Sequence, residues 1–104
     1  MSCDAACVFV DGAALPPGFC ARWYSTSVQG ARGLAISPDG EVLAVARSAS
    51  PPAVLSLRDD DGDGSAEVHT RIASASGLNH GLAVRDGFLY ASSDTTVYRW
   101  PYAP

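Results

Sequence analysis

Arg32-Gly-Leu-Ala-Ile-Ser-Pro-Asp-Gly-Glu-Val-Leu-Ala44 returns later in the chain as His80-Gly-Leu-Ala-Val-Arg-Asp-Gly-Phe-Leu-Tyr-Ala91. Gly33/Gly81, Leu34/Leu82, Ala35/Ala83 and Ile36/Val84 stand 48 residues apart. Loss of one residue at Pro38 makes the offset 47 for Asp39/Asp86 and Gly40/Gly87. Val54-Leu55-Ser56-Leu57 then answers to Val97-Tyr98-Arg99-Trp100. In each copy short apolar runs flank an Asp-Gly pair, which reads as two strands joined by a tight turn. A period of roughly 40–50 residues with about four strands per unit marks a β-propeller blade.

Working outward, strands are expected at Phe19–Ser25, Gly33–Ser37, Val42–Ala46, Ala53–Leu57, Glu67–Ala73, Gly81–Arg85, Phe88–Ser92 and Thr96–Trp100. Sustained helical spacing of apolar residues with caps is absent, so the fold class is all-β. Pro51-Pro52 marks a loop, because neither residue can donate to a ladder. The 19–25 run lies 48 residues before 67–73, with Cys20 opposite Val68 and Tyr24 opposite Ile72. It takes the place of a blade's outer strand. The expected organisation is an arm over 1–18 and a partial β-propeller over 19–104. The latter divides into the outer strand 19–25, a blade over 30–76 and an incomplete blade over 77–104. A closed propeller needs roughly four to eight blades, so about two blades read as the N-terminal piece of a longer protein.

The 104 residues carry 47% apolar and 17% charged residues and a net charge of -4, which suits a folded domain. All seven basic residues are Arg, and they form no cluster, which argues against a nucleic-acid surface. No apolar run approaches the length of a transmembrane helix. Met1 to Leu15 holds no basic residue, and its apolar stretch Ala5–Val10 is short, so it does not read as a secretory signal. Cys3, Cys7 and Cys20 are an odd set without zinc-finger spacing. They stand either as free thiols or as a Cys7–Cys20 bridge with one thiol over.

Asp59-Asp-Asp-Gly-Asp-Gly-Ser-Ala-Glu67 places carboxylates of Asp59, Asp61, Asp63 and Glu67 at positions 1, 3, 5 and 9 of a loop, with Gly64 at position 6. Ca²⁺ takes six to eight hard oxygens, and alternate carboxylates around a sharp turn supply them. Position 12 is Thr70 rather than Glu, and the flanks are strands, so this is not an EF-hand. Two readings stand: a calcium loop between strands, and a solvated Gly-rich turn with several aspartates.

In a propeller the innermost strand of each blade lines the central channel. Arg32 and His80 precede the innermost strands at equivalent repeat positions. His80 can serve as a general base, or simply cap a loop. Arg32 can grip a carboxylate with two parallel hydrogen bonds, and Arg47 is a weaker candidate for the same task. His69 falls in an outer strand and reads as surface. No nucleophile elbow or phosphate-binding loop occurs.

Several of these stretches resemble one family in their order and spacing. They are Leu15-Pro-Pro-Gly-Phe-Cys-Ala-Arg22, Gly30-Ala-Arg-Gly-Leu-Ala-Ile-Ser-Pro-Asp-Gly40, Asp59-x-Asp-Gly-Asp-Gly64, Ile72-Ala-Ser-Ala-Ser-Gly-Leu-Asn-His-Gly-Leu-Ala83 and Asp86-Gly-Phe-Leu-Tyr-Ala-Ser-Ser-Asp-Thr-Thr-Val-Tyr-Arg-Trp100. Together they resemble the start of the quinoprotein sugar dehydrogenases, the pyrroloquinoline-quinone (PQQ)-dependent glucose/sorbosone and pyranose dehydrogenases. The resemblance implies a six-bladed propeller with PQQ over the channel, Ca²⁺ assisting the quinone, and a His as base. It implies hydride transfer from a sugar carbon to the quinone, an external electron acceptor, and a secreted or periplasmic location. His80 is then the expected catalytic residue and Arg32 the expected quinone-binding residue, with Arg47 the weaker candidate. The quinone-associated calcium is expected largely on later blades, so Asp59, Asp61, Asp63 and Glu67 are the expected metal ligands of the loop and need not be that site. The family commonly spaces Asn and His one or two residues further apart than Asn79 and His80. The alternatives are a propeller of another kind (an NHL-type binding module or a lactonase-like hydrolase) and an inactive truncated product. A site on a propeller axis is shared among blades, so the chain by itself is expected to be inactive.

Overall fold

The computed structural model describes residues 16–19 and 21–103. Seven strands follow one another: β1 Ala31–Ile36, β2 Val42–Ala46, β3 Ala53–Arg58, β4 Val68–Ser74, β5 Leu82–Arg85, β6 Phe88–Ser92 and β7 Val97–Pro101. They form a four-stranded sheet, β1-β2-β3-β4, and a three-stranded sheet, β5-β6-β7, each an antiparallel meander. Among the described residues there is no helix. The fold is all-β, and two sheets of this order are consistent with a partial β-propeller of about two blades.

The turns explain the registers. Asp86 and Gly87 both have positive φ (52° and 80°) and join β5 to β6 directly, with Arg85 opposite Phe88. That backbone follows the right-handed strand twist, and the Asp-Gly pair tolerates it. The first repeat keeps Pro38, so its turn is one residue longer. Gly40 N–H closes it onto Ser37 O at 2.9 Å, with Gly40 at φ 91°.

Seven of the eight expected strands are present. The expected outer strand at Phe19–Ser25 is not: its described residues hold no ladder pairing. Two of their carbonyls accept hydrogen bonds from the acidic loop instead. Ala66 N–H donates to Tyr24 O at 2.7 Å and Ser65 Oγ to Trp23 O at 2.8 Å. A strand forms only where its backbone groups meet a row of partners along its length, and here the loop supplies donors to the carbonyls of Trp23 and Tyr24. Cys3, Cys7 and Cys20, with most of the expected 1–18 arm, lie outside the described residues.

The core sits between the sheets. Leu43 and Val45 on β2, Val54 on β3 and Ala73 on β4 meet Leu89 and Ala91 on β6, with Leu78 of the β4–β5 connection. Tyr98 and Trp100 of β7 and Leu82 and Val84 of β5 close its rim. Leu43, Leu78 and Leu89 are almost wholly buried, and each contributes roughly 1.5–3 kcal/mol by leaving water. The innermost strands approach so closely that a Cβ on Gly33 would collide with the carbonyl of His80.

Candidate functional site

Strand direction sorts the candidate residues onto two ends of the sheets. β1 starts and β2 finishes at one end, where Arg47 N–H donates to Gly30 O at 3.3 Å. β4 finishes at the same end and leads through Ser76–Gly81 into β5. Arg32, Arg47 and His80 therefore share this near end. The turn Ser37–Glu41, the loop Asp59–Glu67 and Tyr102 share the far end. Six residues of β3 separate the ends by about 20 Å, at roughly 3.3 Å per residue.

At the near end Arg32, Arg47 and His80 are exposed. Among the described residues none of their side chains makes a hydrogen bond or ion pair. The main chain around His80 is held firmly. Asn79 N–H donates to Ser92 O at 3.0 Å, and Ser92 N–H donates to Gly81 O at 3.3 Å. Asn79 Nδ2 donates to Asp94 Oδ1 at 2.6 Å, fastening the segment before His80 to the β6–β7 turn. Asn79 Oδ1 is buried without a donor. Leu78 anchors the same segment in the core. The result is an exposed imidazole on a fixed backbone, at the same end of the sheets as two exposed guanidinium groups. Such a set can accept a proton and bind carboxylates.

At the far end the four carboxylates of Asp59, Asp61, Asp63 and Glu67 offer ligand atoms within 4.8 Å of one another. Their oxygens also order the loop. Asp59 accepts from Gly64 N–H at 2.8 Å and Asp63 N–H at 3.2 Å. Asp63 accepts from Ser65 N–H at 2.9 Å, and Glu67 Oε1 from the amides of Asp60 and Asp61. Desolvation works to raise the Asp59 carboxyl, but the Gly64 amide and the Asp61 contact outweigh it, so its pKa falls below the ordinary value. For Asp61 the Asp63 amide pulls down. Desolvation, the Asp59 contact and the charges of Asp63 and Glu67 outweigh that pull, and the pKa rises. The hard-oxygen donor set fits a calcium ion.

Several contacts here join groups that the sequence does not show to be neighbours. Arg22 lays its guanidinium over Gly64, where a Cβ would come within 2.9 Å of Nη1. Ser25 Oγ and His69 Nε2 are hydrogen-bonded at 2.7 Å, tying the 21–27 strap to β4. Tyr24, Asp39, Glu41, Arg58, Asp59 and Tyr102 line a cleft of about 510 Å³. In it Ser56 donates to Glu41 Oε1 at 2.5 Å and Tyr102 to Glu41 Oε2 at 3.4 Å. These contacts join residues 15 to 61 positions apart. Local patterning carries no signal for them.

Fold and site thus define an all-β protein built from a repeated antiparallel sheet, with a His/Arg end and an acidic end. The family model called TrAA12-like matches residues 13–104, and the chain belongs to that family. The family is an auxiliary-activity family of fungal pyrano-dehydrogenase type, consistent with a sugar oxidoreductase. No curated protein and no solved structure matches the chain. No helix among the described residues is long and apolar enough to cross a membrane.

Proposed function

We propose that this chain forms part of a PQQ-dependent sugar dehydrogenase acting outside the cytoplasm. The observation that supports it is the gathering of Arg32, Arg47 and His80 at one end of the repeated sheets of a TrAA12-like protein. PQQ is an anionic tricarboxylate, and two unpaired guanidinium groups suit it. When bound, it supplies the two-electron acceptor for a hydride from a sugar carbon. Arg32 and Arg47 hold its carboxylates. His80 takes the proton from the sugar hydroxyl at an imidazole nitrogen, carried on the fixed backbone of Asn79–Gly81. The remaining walls of such a site come from further sheets around the axis. Two sheets supply only a sector.

The test is aldose oxidation with a dye acceptor, using the protein produced in its natural host. Activity should require added PQQ. His80→Ala should abolish turnover while PQQ still quenches tryptophan fluorescence. Arg32→Ala should weaken that quenching about tenfold, equivalent to ~1.4 kcal/mol. Wild-type protein that shows neither PQQ-dependent oxidation nor quenching would exclude the reading.

The same reading assigns a calcium ion to Asp59, Asp61, Asp63 and Glu67. It lies about 20 Å from His80 by the strand count above, so it acts on the loop and not on the quinone. Calcium should raise the thermal midpoint of the wild type and leave Asp61→Asn unmoved. Equal midpoints with calcium and with chelator in the wild type would leave only the solvated turn.

A further inference from the structure

The strap ahead of β1 is seated on the acidic loop, residue against residue. The Arg22 guanidinium lies over Gly64, Ser65 Oγ donates to Trp23 O at 2.8 Å, and Ala66 N–H donates to Tyr24 O at 2.7 Å. Three consecutive residues of the strap thus meet three consecutive residues of the loop, in the same order. Further along, the Ser25–His69 hydrogen bond of 2.7 Å ties the strap to β4. The strap holds no ladder pairing. A segment seated by so few bonds belongs to the low-stability end of a fold and opens locally.

The loop residues that meet the strap are themselves held by carboxylates. Gly64 N–H donates to Asp59 Oδ2 at 2.8 Å, and Ser65 N–H donates to Asp63 Oδ1 at 2.9 Å. Glu67 N–H donates to Arg58 O at 3.1 Å and fixes the end of the loop to β3. Order therefore passes outward in two steps: a carboxylate fixes a loop amide, and the same loop residue fixes the strap. Ser65 carries both steps, its N–H held by Asp63 and its hydroxyl holding Trp23. Among the described residues, the Asp63 carboxylate makes no hydrogen bond or ion pair with the strap itself.

We propose that the strap over Arg22–Ser25 is a latch whose seating is set by the carboxylate-ordered form of the loop. Asp63 acts through the Ser65 amide and not through its charge on Arg22. When the loop gives up that form, Arg22, Trp23 and Tyr24 lift together, because adjacent residues share one support. A loop 42 residues away in the sequence thereby switches the segment between a docked and a released state. The latch rests on contacts formed within the chain and on neither the quinone nor the calcium reading.

The test is limited proteolysis with trypsin, in the presence of chelator, on the protein produced in its natural host. Arg22 is the first basic residue of the sequence, so a cut there gives a fragment ending at Arg22, identified by mass after quenching in denaturant and reductant. Cleavage after Arg71, on β4, reports the sheet. Cutting of a transiently opened segment follows the population of the open form, and loss of one neutral hydrogen bond raises that population roughly two- to tenfold. Asp63→Ala should speed the cut after Arg22 by that factor and leave the cut after Arg71 unchanged. Ser65→Ala should do the same, and in the double variant the two effects should not add. Asp63→Asn, which keeps an acceptor oxygen and drops the charge, should be as slow as the wild type. A wild-type rate for Asp63→Ala overturns the proposal. So do additive effects, or an Asp63→Asn as fast as Asp63→Ala, which would mean that charge on Arg22 seats the strap. If Asp63→Ala also speeds the cut after Arg71, Ser65→Ala and Asp63→Asn carry the decision, and a wild-type rate for Ser65→Ala overturns the proposal.

Discussion

In the first sheet β2 is buried from Leu43 to Ala46, on both faces, whereas its repeat image β6 buries Leu89 and Ala91 and leaves Phe88, Tyr90 and Ser92 half exposed. The residues differ accordingly. β2 reads Val-Leu-Ala-Val-Ala, nearly continuous apolar, and β6 reads Phe-Leu-Tyr-Ala-Ser, with an amphipathic Tyr and a Ser on the outer side. A continuous apolar run belongs to a strand covered on two sides, and alternation to one covered on a single side. Two copies of one repeat have thus diverged in sequence where their surroundings differ. Position in the stack, and not the repeat itself, sets what each strand buries.

The largest test of this comparison is truncation at one repeat position in both copies. Leu43 and Tyr90 are images of each other across the 47-residue offset. Leu43 is fully buried between the sheets, while Tyr90 faces outward. Leu43→Ala should cost about 2–5 kcal/mol in urea unfolding through lost contacts and the cavity left behind. Tyr90→Ala at low concentration should cost about 1 kcal/mol or less. Equal losses would mean that the outer face of the second sheet is covered after all.

A second pair is Gly33 and Gly81, which look the same in the sequence. A Cβ at Gly33 meets the backbone carbonyl of His80, which cannot move without parting the two sheets. A Cβ at Gly81 meets Ser92 Oγ at 2.5 Å, a side-chain tip that can rotate away. Gly33→Ala should therefore cost about 1–3 kcal/mol, in the range of overpacked cores, and Gly81→Ala clearly less. Gly33→Ala should also blue-shift or broaden the resonances of His80 and Gly81 in amide NMR spectra, since it presses on their peptide unit.

These pairs show what could be read beforehand. The repeat at Arg32 and His80 gave both meanders, because turn residues and alternating apolar runs act within a few residues of each other. It also put Arg32 and His80 at one end, since strand count alone fixes which end a residue occupies. The strand expected at 19–25 failed for a related reason. Its apolar content matched an outer strand, but pairing depends on a partner distant in sequence, and the partner it meets is the turn at Gly64–Ala66. Asn79 with Asp94, Arg22 over Gly64 and Tyr102 with Glu41 were invisible for the same cause. Only the docking of the two sheets and the strap brings them together.

Tyr102 offers the smallest effect and the sharpest reading of how the repeats are joined. Its N–H donates to Gly87 O at 2.8 Å within the second repeat, and its hydroxyl reaches Glu41 of the first. Among the described residues, no equivalent residue joins the first repeat to a neighbour on its other side. Burial raises the Tyr102 phenol above its ordinary pKa of 10.0; the Ser37 hydroxyl opposes that, and the charges of Glu41 and Asp39 add to it. The folded chain therefore holds this proton more tightly than the unfolded chain does. The resulting stability is fully present below pH 10 and is lost as the pH climbs from there through the raised folded value. Tyr24 is raised as well, by burial and then by the charges of Asp59 and Glu67, and adds to the same slope. Tyr102→Phe should cost only about 0.5 kcal/mol at neutral pH, the low end for a hydrogen bond. Above pH 10 its stability should fall less steeply than that of the wild type, while keeping the part due to Tyr24. An unchanged alkaline slope in Tyr102→Phe would mean that the phenol does not feel Glu41, and that packing alone holds the two repeats at this end.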